Sequence, residues 1–437
     1  LYRRRTMVPL DRRADQRVQN PSQALRYVPT MRHQREPVIR GFSVFALTSI
    51  LVAVVFVLTD HRRDLVGVTA GTNGPALITT IARLGLLGFT VTLVILWPQR
   101  PSLTRSPLTF AIGSYVLYIA AGVLWSPDPS FTLHKLVVLT TVGITAFCIA
   151  QVFDLDQITD LILVILVGYL VLGAAYEISS GSVQLRSDYR FEGTTNANQN
   201  GLFAAIVALI SGTRLFLSHD SRSPRRTYWL LLIGSIAVTA ITMSRTAMIS
   251  LAAAVLIITA LQMTIRTSSA RMPLGAFVST AAIASAVALV VLRGPRRGDL
   301  SSFGERSVIW EPLWGAVQER PIHGYGHLGY WVSVPSGRVN NAHSVYLDLL
   351  LDGGLIALAL VLLILGLTIA KLLTATRHGA GANTVFCLAF ICFLIVHGLA
   401  ESSWSRPMIG LLFLSCVVAR VAVPGPSRSS YSSSPAR

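Results

Sequence analysis

Apolar runs of about 20 residues recur along the chain, separated by short polar breaks. A run of that length spans the hydrocarbon core of a bilayer as one helix. The pattern predicts about twelve spans, near 39–59, 76–97, 107–125, 132–153, 158–178, 200–217, 227–243, 247–265, 273–292, 353–373, 384–400 and 407–423. Helices in lipid satisfy their own backbone polar groups, so the fold class expected is all-α: a polytopic integral-membrane helical bundle. One hydrophilic island, at 293–342, is far longer than the other breaks and is expected to form a large loop containing short helices. The chain then divides into a basic tail (1–38), a single transmembrane domain (39–423) and a Pro/Ser-rich tail (424–437) with the composition of a disordered segment.

The breaks alternate in charge. One set holds the N-terminal tail, then Arg100 and Arg105, Arg214 to Arg226, Arg266 and Arg271, Lys371 and Arg377, and Arg420. The other holds the turn at 126–131, the loop at 179–200, the turn at 243–246, the island, and the turn at 401–406. Lys and Arg accumulate in cytoplasmic loops, so the first set faces the cytoplasm together with both termini. The island therefore lies on the face where arginine is normally sparse. It nevertheless carries Arg293, Arg296, Arg297, Arg306, Arg320 and Arg338.

Composition agrees with this reading. Charged residues make up 13% of the chain, against about 25% in soluble domains. The net charge of +17 does not point to nucleic acid. Ten arginines precede residue 41, where a cytoplasmic tail meets anionic lipid, and they lack the interleaved aromatics that stack bases. Cys148, Cys387, Cys392 and Cys416 all sit in apolar runs, so they read as small core hydrophobes and not as a disulfide or metal framework. The first apolar run is of full spanning length and has no small-residue cleavage site behind it, so no signal peptide is expected.

The candidate chemistry lies on the island's face. The segment 304–317 has apolar residues at helical spacing (Ile309, Leu313 and Val317, with Trp310 and Trp314), and Arg306 opens it. Pro312 either kinks that helix or marks its first turn. A glycine turn follows at 321–327. His343 then stands at the expected start of a helix that Gly353 and Gly354 break. There the helix dipole would keep the imidazole neutral and able to accept a proton. Arg245 occupies a very short turn, and Arg190 lies shortly before the Asn-rich stretch 196–200. Arg83 falls about 12 Å below the same face at 1.5 Å per residue, a depth at which a charge usually faces the bundle interior. Lys135 and Glu401 fall near the same ends of their spans. Guanidinium groups hold a diphosphate bidentately and stabilise its charge without a metal or other cofactor. The pair Asp154 and Asp156 falls on the cytoplasmic side and reads as a solvated loop.

In order, the chain presents a Trp-Ser-Pro turn at 125–127, a Ser-Arg turn at 244–245, an Arg-x-x-x-Trp helix at 306–310, a Pro-Ile-x-Gly-x-Gly turn at 321–326, and His-x-x-Tyr-Leu at 343–347 leading to Gly353. This order resembles the O-antigen ligase and O-antigen polymerase superfamily, including exopolysaccharide polymerases. The resemblance implies a metal-independent membrane glycosyltransferase of cell-envelope polysaccharide biosynthesis. Such an enzyme moves glycan from an undecaprenyl-diphosphate carrier to an acceptor glycan or lipid, on the outer face of the cytoplasmic (inner) membrane. It implies catalytic roles for Arg245, Arg306 and His343, with Arg190, Arg83, Lys135 and Glu401 as candidate substrate contacts. The sequence departs from the family at Ser344, where Asn usually follows the histidine, and at Pro312. The alternative from another class is a polysaccharide transporter or lipid-linked-oligosaccharide flippase. Transporters place their charges near the bilayer midplane and carry inverted repeats. Here the charges gather at one face and no repeat is visible.

Overall fold

The computed structural model describes residues 44–55, 74–96, 106–183, 189–217, 225–265, 306–330, 332–334, 337–339, 341–377, 381–405 and 409–422. Both expected tails, the predicted span at 273–292 and the first part of the island lie outside them. So do Arg293, Arg296, Arg297 and Arg406. The described residues are helical apart from turns and one short ribbon. The helices are α1 (Val44–Val55), α2 (Gly74–Leu96), α3 (Pro107–Ala121), α4 (Pro129–Val152), α5 (Leu155–Ser179), α6 (Ala197–Leu217), α7 (Arg225–Ile241) and α8 (Arg245–Ile265). They continue with α9 (Arg306–Glu319), α10 (Val345–Arg377), α11 (Ala382–His397) and α12 (Ile409–Ala422). Each predicted span outside 273–292 overlaps one of these helices. Among the described residues, five segments are long and apolar enough to cross a membrane: Pro107–Leu124, Pro129–Val152, Leu155–Ser179, Ala197–Leu217 and Val345–Arg377. The described residues from 48 onward form one compact unit.

Local chemistry sets several boundaries. Ser106 caps α3 through Thr109 N, and Pro107 follows at the first helical position, where its missing N–H costs nothing. Asp128 caps α4 in the same way, again with proline next. Asp154 and Gln157 close a reciprocal capping box on α5. The acidic pair at 154–156 is exposed, as expected, but it opens a helix: Asp154 caps the start of α5, and Asp156 Oδ1 accepts from Asn383 Nδ2 at 2.7 Å.

The core lies around α6, which is buried on nearly every side and packs on α5, α7, α8 and α11. A helix apolar all round belongs inside. The outer helices turn large apolar groups outward, among them Phe110, Leu117 and Leu230, as expected where the solvent is lipid.

Several loops of the arginine-poor set contact one another. Trp125 Nε1 donates to His323 O, Arg190 Nε to Thr242 O, Asn198 Nδ2 to Glu401 Oε1, and Ser405 Oγ to Asp348 Oδ2. All of these bonds join loops of the arginine-poor set or the helix turns beside them. A separate polar cluster joins segments next to the basic set. There Arg214 pairs with Asp160, donates to Tyr228 Oη at 2.7 Å and reaches Asn383 Oδ1 at 3.4 Å.

The island folds onto α10. Ile309, Leu313 and Val317 of α9 pack with Tyr330, Ala342, Leu347 and Leu351, while Trp314 stays exposed. Pro312 is neither a first-turn residue nor a stop; α9 runs through it. Two three-residue strands, β1 (Val332–Val334) and β2 (Gly337–Val339), pair antiparallel with Val332 opposite Val339, a ribbon the apolar pattern did not predict.

The glycines of α10 break the helix as expected, and the span that follows continues from them. Gly353 and Gly354 have non-helical torsions, with Gly354 at φ 64° and ψ −160°, a region open in practice only to glycine. The freed backbone groups find partners in the turn at 320–326: Tyr325 N donates to Leu351 O, and Leu355 N to Pro321 O. Tyr118 Oη donates to Gly353 O. A broken apolar helix is tolerable in a bilayer because protein groups re-satisfy the break. The glycine turn is thus a plug for α10, and its N–H of Tyr325 is already taken by a helix carbonyl.

Candidate functional site

Two short segments build the site, each fixed by a buried carboxylate. The first is the loop at 189–196 between α5 and α6. Glu177, in the last turn of α5 and 4% exposed, accepts from Glu192 N and Gly193 N at 2.7 Å each, and from the Tyr189 hydroxyl. Burial, then the bond and charge of Glu177, push the Tyr189 phenol up to about 12, so it stays protonated and donates. Asn200 Nδ2 donates to Glu192 O from the first turn of α6. This loop presents Arg190. Its Nε donates to Thr242 O at 3.0 Å and its Nη2 to Asn198 Oδ1 at 3.1 Å. Asn198 Nδ2 donates onward to Glu401 Oε1 at 2.7 Å.

Arg245 is the first residue of α8, three positions after Thr242, and its side chain is exposed. Arg190 senses it. Desolvation lowers the basicity of Arg190, Glu401 raises it, and the like charge of Arg245 lowers it again. Two guanidinium groups and one carboxylate thus act on one another at this end of the bundle.

The second segment runs from 341 into α10. Asp348 is fully buried. Its Oδ1 accepts from Tyr330 Oη at 2.9 Å and Ala342 N at 3.0 Å, and its Oδ2 from Ser405 Oγ at 2.7 Å. His343 follows Ala342 with φ 50°, a left-handed conformation. Its N–H donates to Asn341 Oδ1 at 3.0 Å, and Ser402 Oγ donates to the same oxygen at 2.9 Å. Val345 N donates to Gly398 O, which docks the start of α10 on the end of α11. The helix therefore begins at Val345, two residues past His343, so the histidine sits in a strained turn and not in the first helical turn.

A continuous path of bonded neighbours now runs from His343 through Asn341, Ser402, Glu401 and Asn198 to Arg190, with Arg245 just beyond Thr242. Of the residues singled out in the sequence, the structure brings together Arg190, Arg245 and Glu401, and ties the backbone of His343 to the same network. Arg306 is the first residue of α9, one turn before Trp310, whose Nε1 donates to Ala342 O at 2.7 Å. The backbone of that helix is thus tied to the residue before His343.

Arg83 and Lys135 stand elsewhere. Arg83 lines a crevice with Val55, Leu86, Thr141, Val142, Thr145 and Leu412. Arg83 lies nine residues into α2 from Gly74, or about 14 Å along the axis at 1.5 Å per residue, close to the depth the sequence suggested. The crevice is built from α1, α2, α4 and α12. Lys135 lies in the second turn of α4 with its ammonium 5.0 Å above the Phe131 ring. Neither α2 nor α4 contributes to the path from His343 to Arg190.

Sequence reasoning missed Glu177, Asn198 and Asp348. The available signal was an acid inside or at the end of an apolar run, as at Glu177 and Asp348, since such groups are retained only with partners. Among the described residues, no three His, Cys, Asp or Glu side chains gather as a metal-binding group.

No curated protein matches the chain. Residues 229–362 match the family model described as O-antigen ligase. The matched stretch holds α7, α8, the island and the first half of α10. It leaves Arg190, Glu401, Arg83 and Lys135 outside. This match supports the resemblance to the O-antigen ligase and polymerase superfamily, and it does so over the segment that carries Arg245, Arg306 and His343.

Proposed function

We propose that the protein is a glycosyltransferase of the cytoplasmic membrane. It takes glycan from an undecaprenyl-diphosphate carrier at the outer face and passes it to an acceptor hydroxyl on a glycan or lipid. The observation that carries this reading is the convergence of Arg190, Arg245 and Glu401, with the backbone of His343 tied to them, at the arginine-poor end of a helical bundle. Arg190 is partly withdrawn from water and stands beside the like charge of the exposed Arg245, an arrangement that an anion relieves. A diphosphate supplies that anion, and Arg forks match its oxygens.

In this scheme Arg245, Arg306 and Arg190 hold the diphosphate. The acceptor oxygen forms a bond to the anomeric carbon as the bond from that carbon to the diphosphate oxygen breaks. The electron pair leaves with undecaprenyl diphosphate, whose growing charge the arginines stabilise. His343 takes the proton of the acceptor hydroxyl and returns it to solvent. The guanidinium groups carry the charge stabilisation, so the scheme needs no metal. The distribution of loop arginine places both termini in the cytoplasm. The twelve-span count belongs to the same proposal.

The discontinuity of α10 is the one feature that favours a transporter, since such proteins bind ions at broken helices. Its freed groups, however, are already bonded to the turn at 320–326 and to Tyr118. That arrangement supports a static break and not an ion site.

The test uses purified protein in vesicles, supplied with lipid-linked glycans extracted from a strain lacking the gene. Wild type is expected to consume the carrier-linked glycan in the presence of EDTA. Arg245→Ala is expected to run about a hundredfold slower. Equal rates for the two proteins would remove Arg245 from the site.

A further inference from the structure

We infer that Glu177 is a positioning residue for donor binding: it fixes the loop at 189–193 so that Arg190 faces the diphosphate beside Arg245. The inference rests on the reading of Arg190 as a diphosphate ligand. It adds a residue that lies outside the O-antigen ligase match and that no motif marks.

The geometry is specific. Gly173 and Glu177 are one turn apart and share a face of α5. Gly193 lies directly on Gly173, so close that a Cβ on Gly173 would stand 3.1 Å from the Gly193 Cα. Gly193 has φ +54°, and a Cβ there would stand 2.8 Å from Asn200 Nδ2. The loop therefore seats its backbone on the helix, and its N–H groups have to find acceptors there. Glu177 provides them, taking Glu192 N and Gly193 N on one oxygen and the Tyr189 hydroxyl on the other.

Those anchors bracket Arg190, at positions 189, 192 and 193. With both flanks held, the guanidinium is set between Thr242 O and Asn198 Oδ1. A carboxylate suits this work because it is acceptor-only and takes several donors at once. The loop itself is short and polar and would otherwise be mobile. Fixing an arginine before the substrate arrives removes an ordering cost from binding.

A double-mutant cycle separates positioning from general stability. The probe is undecaprenyl diphosphate, its binding to detergent-purified protein measured for wild type, Glu177→Gln, Arg190→Ala and the double variant. Glu177→Gln keeps one acceptor oxygen for the two amides but loses the second acceptor for Tyr189, so the fold survives. Arg190→Ala is expected to weaken binding about ten- to a hundredfold, the range for a lost charged hydrogen bond. Glu177→Gln is expected to weaken it about three- to tenfold on the same grounds. The double variant is expected to bind no more weakly than Arg190→Ala, because Glu177 acts through that arginine. Tyr189→Phe keeps both amide anchors and is expected to fall between wild type and Glu177→Gln.

A double variant weakened by the product of the two single effects would overturn the proposal, as would wild-type binding by Glu177→Gln. Wild-type binding by Arg190→Ala would overturn it too, by removing the arginine through which Glu177 acts. The transfer assay on Arg245→Ala tells that outcome apart from failure of the glycosyltransferase reading.

Discussion

Replacing Asp348 by alanine tests the second carboxylate anchor and, with it, the placement of His343. The side chain is fully buried and accepts from Tyr330 Oη, Ala342 N and Ser405 Oγ. In Asp348→Ala the Tyr330 and Ala342 donors remain buried, at 2% and 0% exposure. A buried donor left without an acceptor costs about 1–3 kcal/mol, so the two together cost about 2–6 kcal/mol. Ser405 is only half-buried and can turn toward water. Asp348→Asn keeps an oxygen for Tyr330 and Ala342, and its amide can donate to Ser405 once that hydroxyl rotates. Its cost should stay near that of a single ordinary hydrogen bond, about 1 kcal/mol. Set against a total stability of about 5–15 kcal/mol, that difference is large. Thermal melting of both variants in one detergent reads it. Asp348→Ala is expected to melt well below Asp348→Asn, and to lose transfer activity as the turn carrying His343 loosens. Equal melting of the two variants would refute the account of Asp348 as a shared acceptor.

Other outcomes follow from the same geometry. Gly354→Ala forces a side chain into a glycine-only conformation, about 1–3 kcal/mol of strain, and sets its Cβ 2.2 Å from the Ile322 carbonyl. It should melt far lower than Gly366→Ala in the same helix, where an added Cβ meets nothing within 4 Å. His343→Ala should slow transfer about a hundredfold or more if the imidazole is the base, whereas an inactive Glu401→Ala beside a normal His343→Ala would exchange their roles. Burial, together with the bond and charge of Glu177, pushes the Tyr189 phenol in the folded protein up to about 12 from its ordinary value of 10.0. Its contribution to stability is therefore present below the unfolded value and is lost as pH rises through about 12. Melting measured over that alkaline window should lose this component in Tyr189→Phe.

The bundle was legible because lipid forces each span to be a continuous apolar run, and because serine, aspartate and proline mark starts such as those of α3, α4 and α5. The face proposed for the site rests on the loop arginines. What stayed hidden depends on partners distant in sequence. Gly353 and Gly354 read as a break, but nothing nearby in sequence reveals that the turn at 320–326 caps both halves of α10. His343 read as a helix start because its left-handed turn is imposed by Asn341 and by docking on Gly398. Arg83 and Lys135 had the right charge, but their neighbours depend on how α2 and α4 pack. Glu177 and Asp348 lay in or at the ends of apolar runs, and only the folded loops show what they hold.

The central claim is that an arginine-lined site at the outer face breaks the bond between glycan and lipid diphosphate. The most direct measurement is the profile of lipid-linked glycans in a strain lacking the gene and complemented with wild type, Arg245→Ala or His343→Ala. The account predicts that wild type clears carrier-linked glycan and that both variants let it accumulate. Single repeat units would then mark a polymerase, and long carrier-linked chains a ligase. A profile in which the variants clear the carrier as well as wild type does would contradict the account.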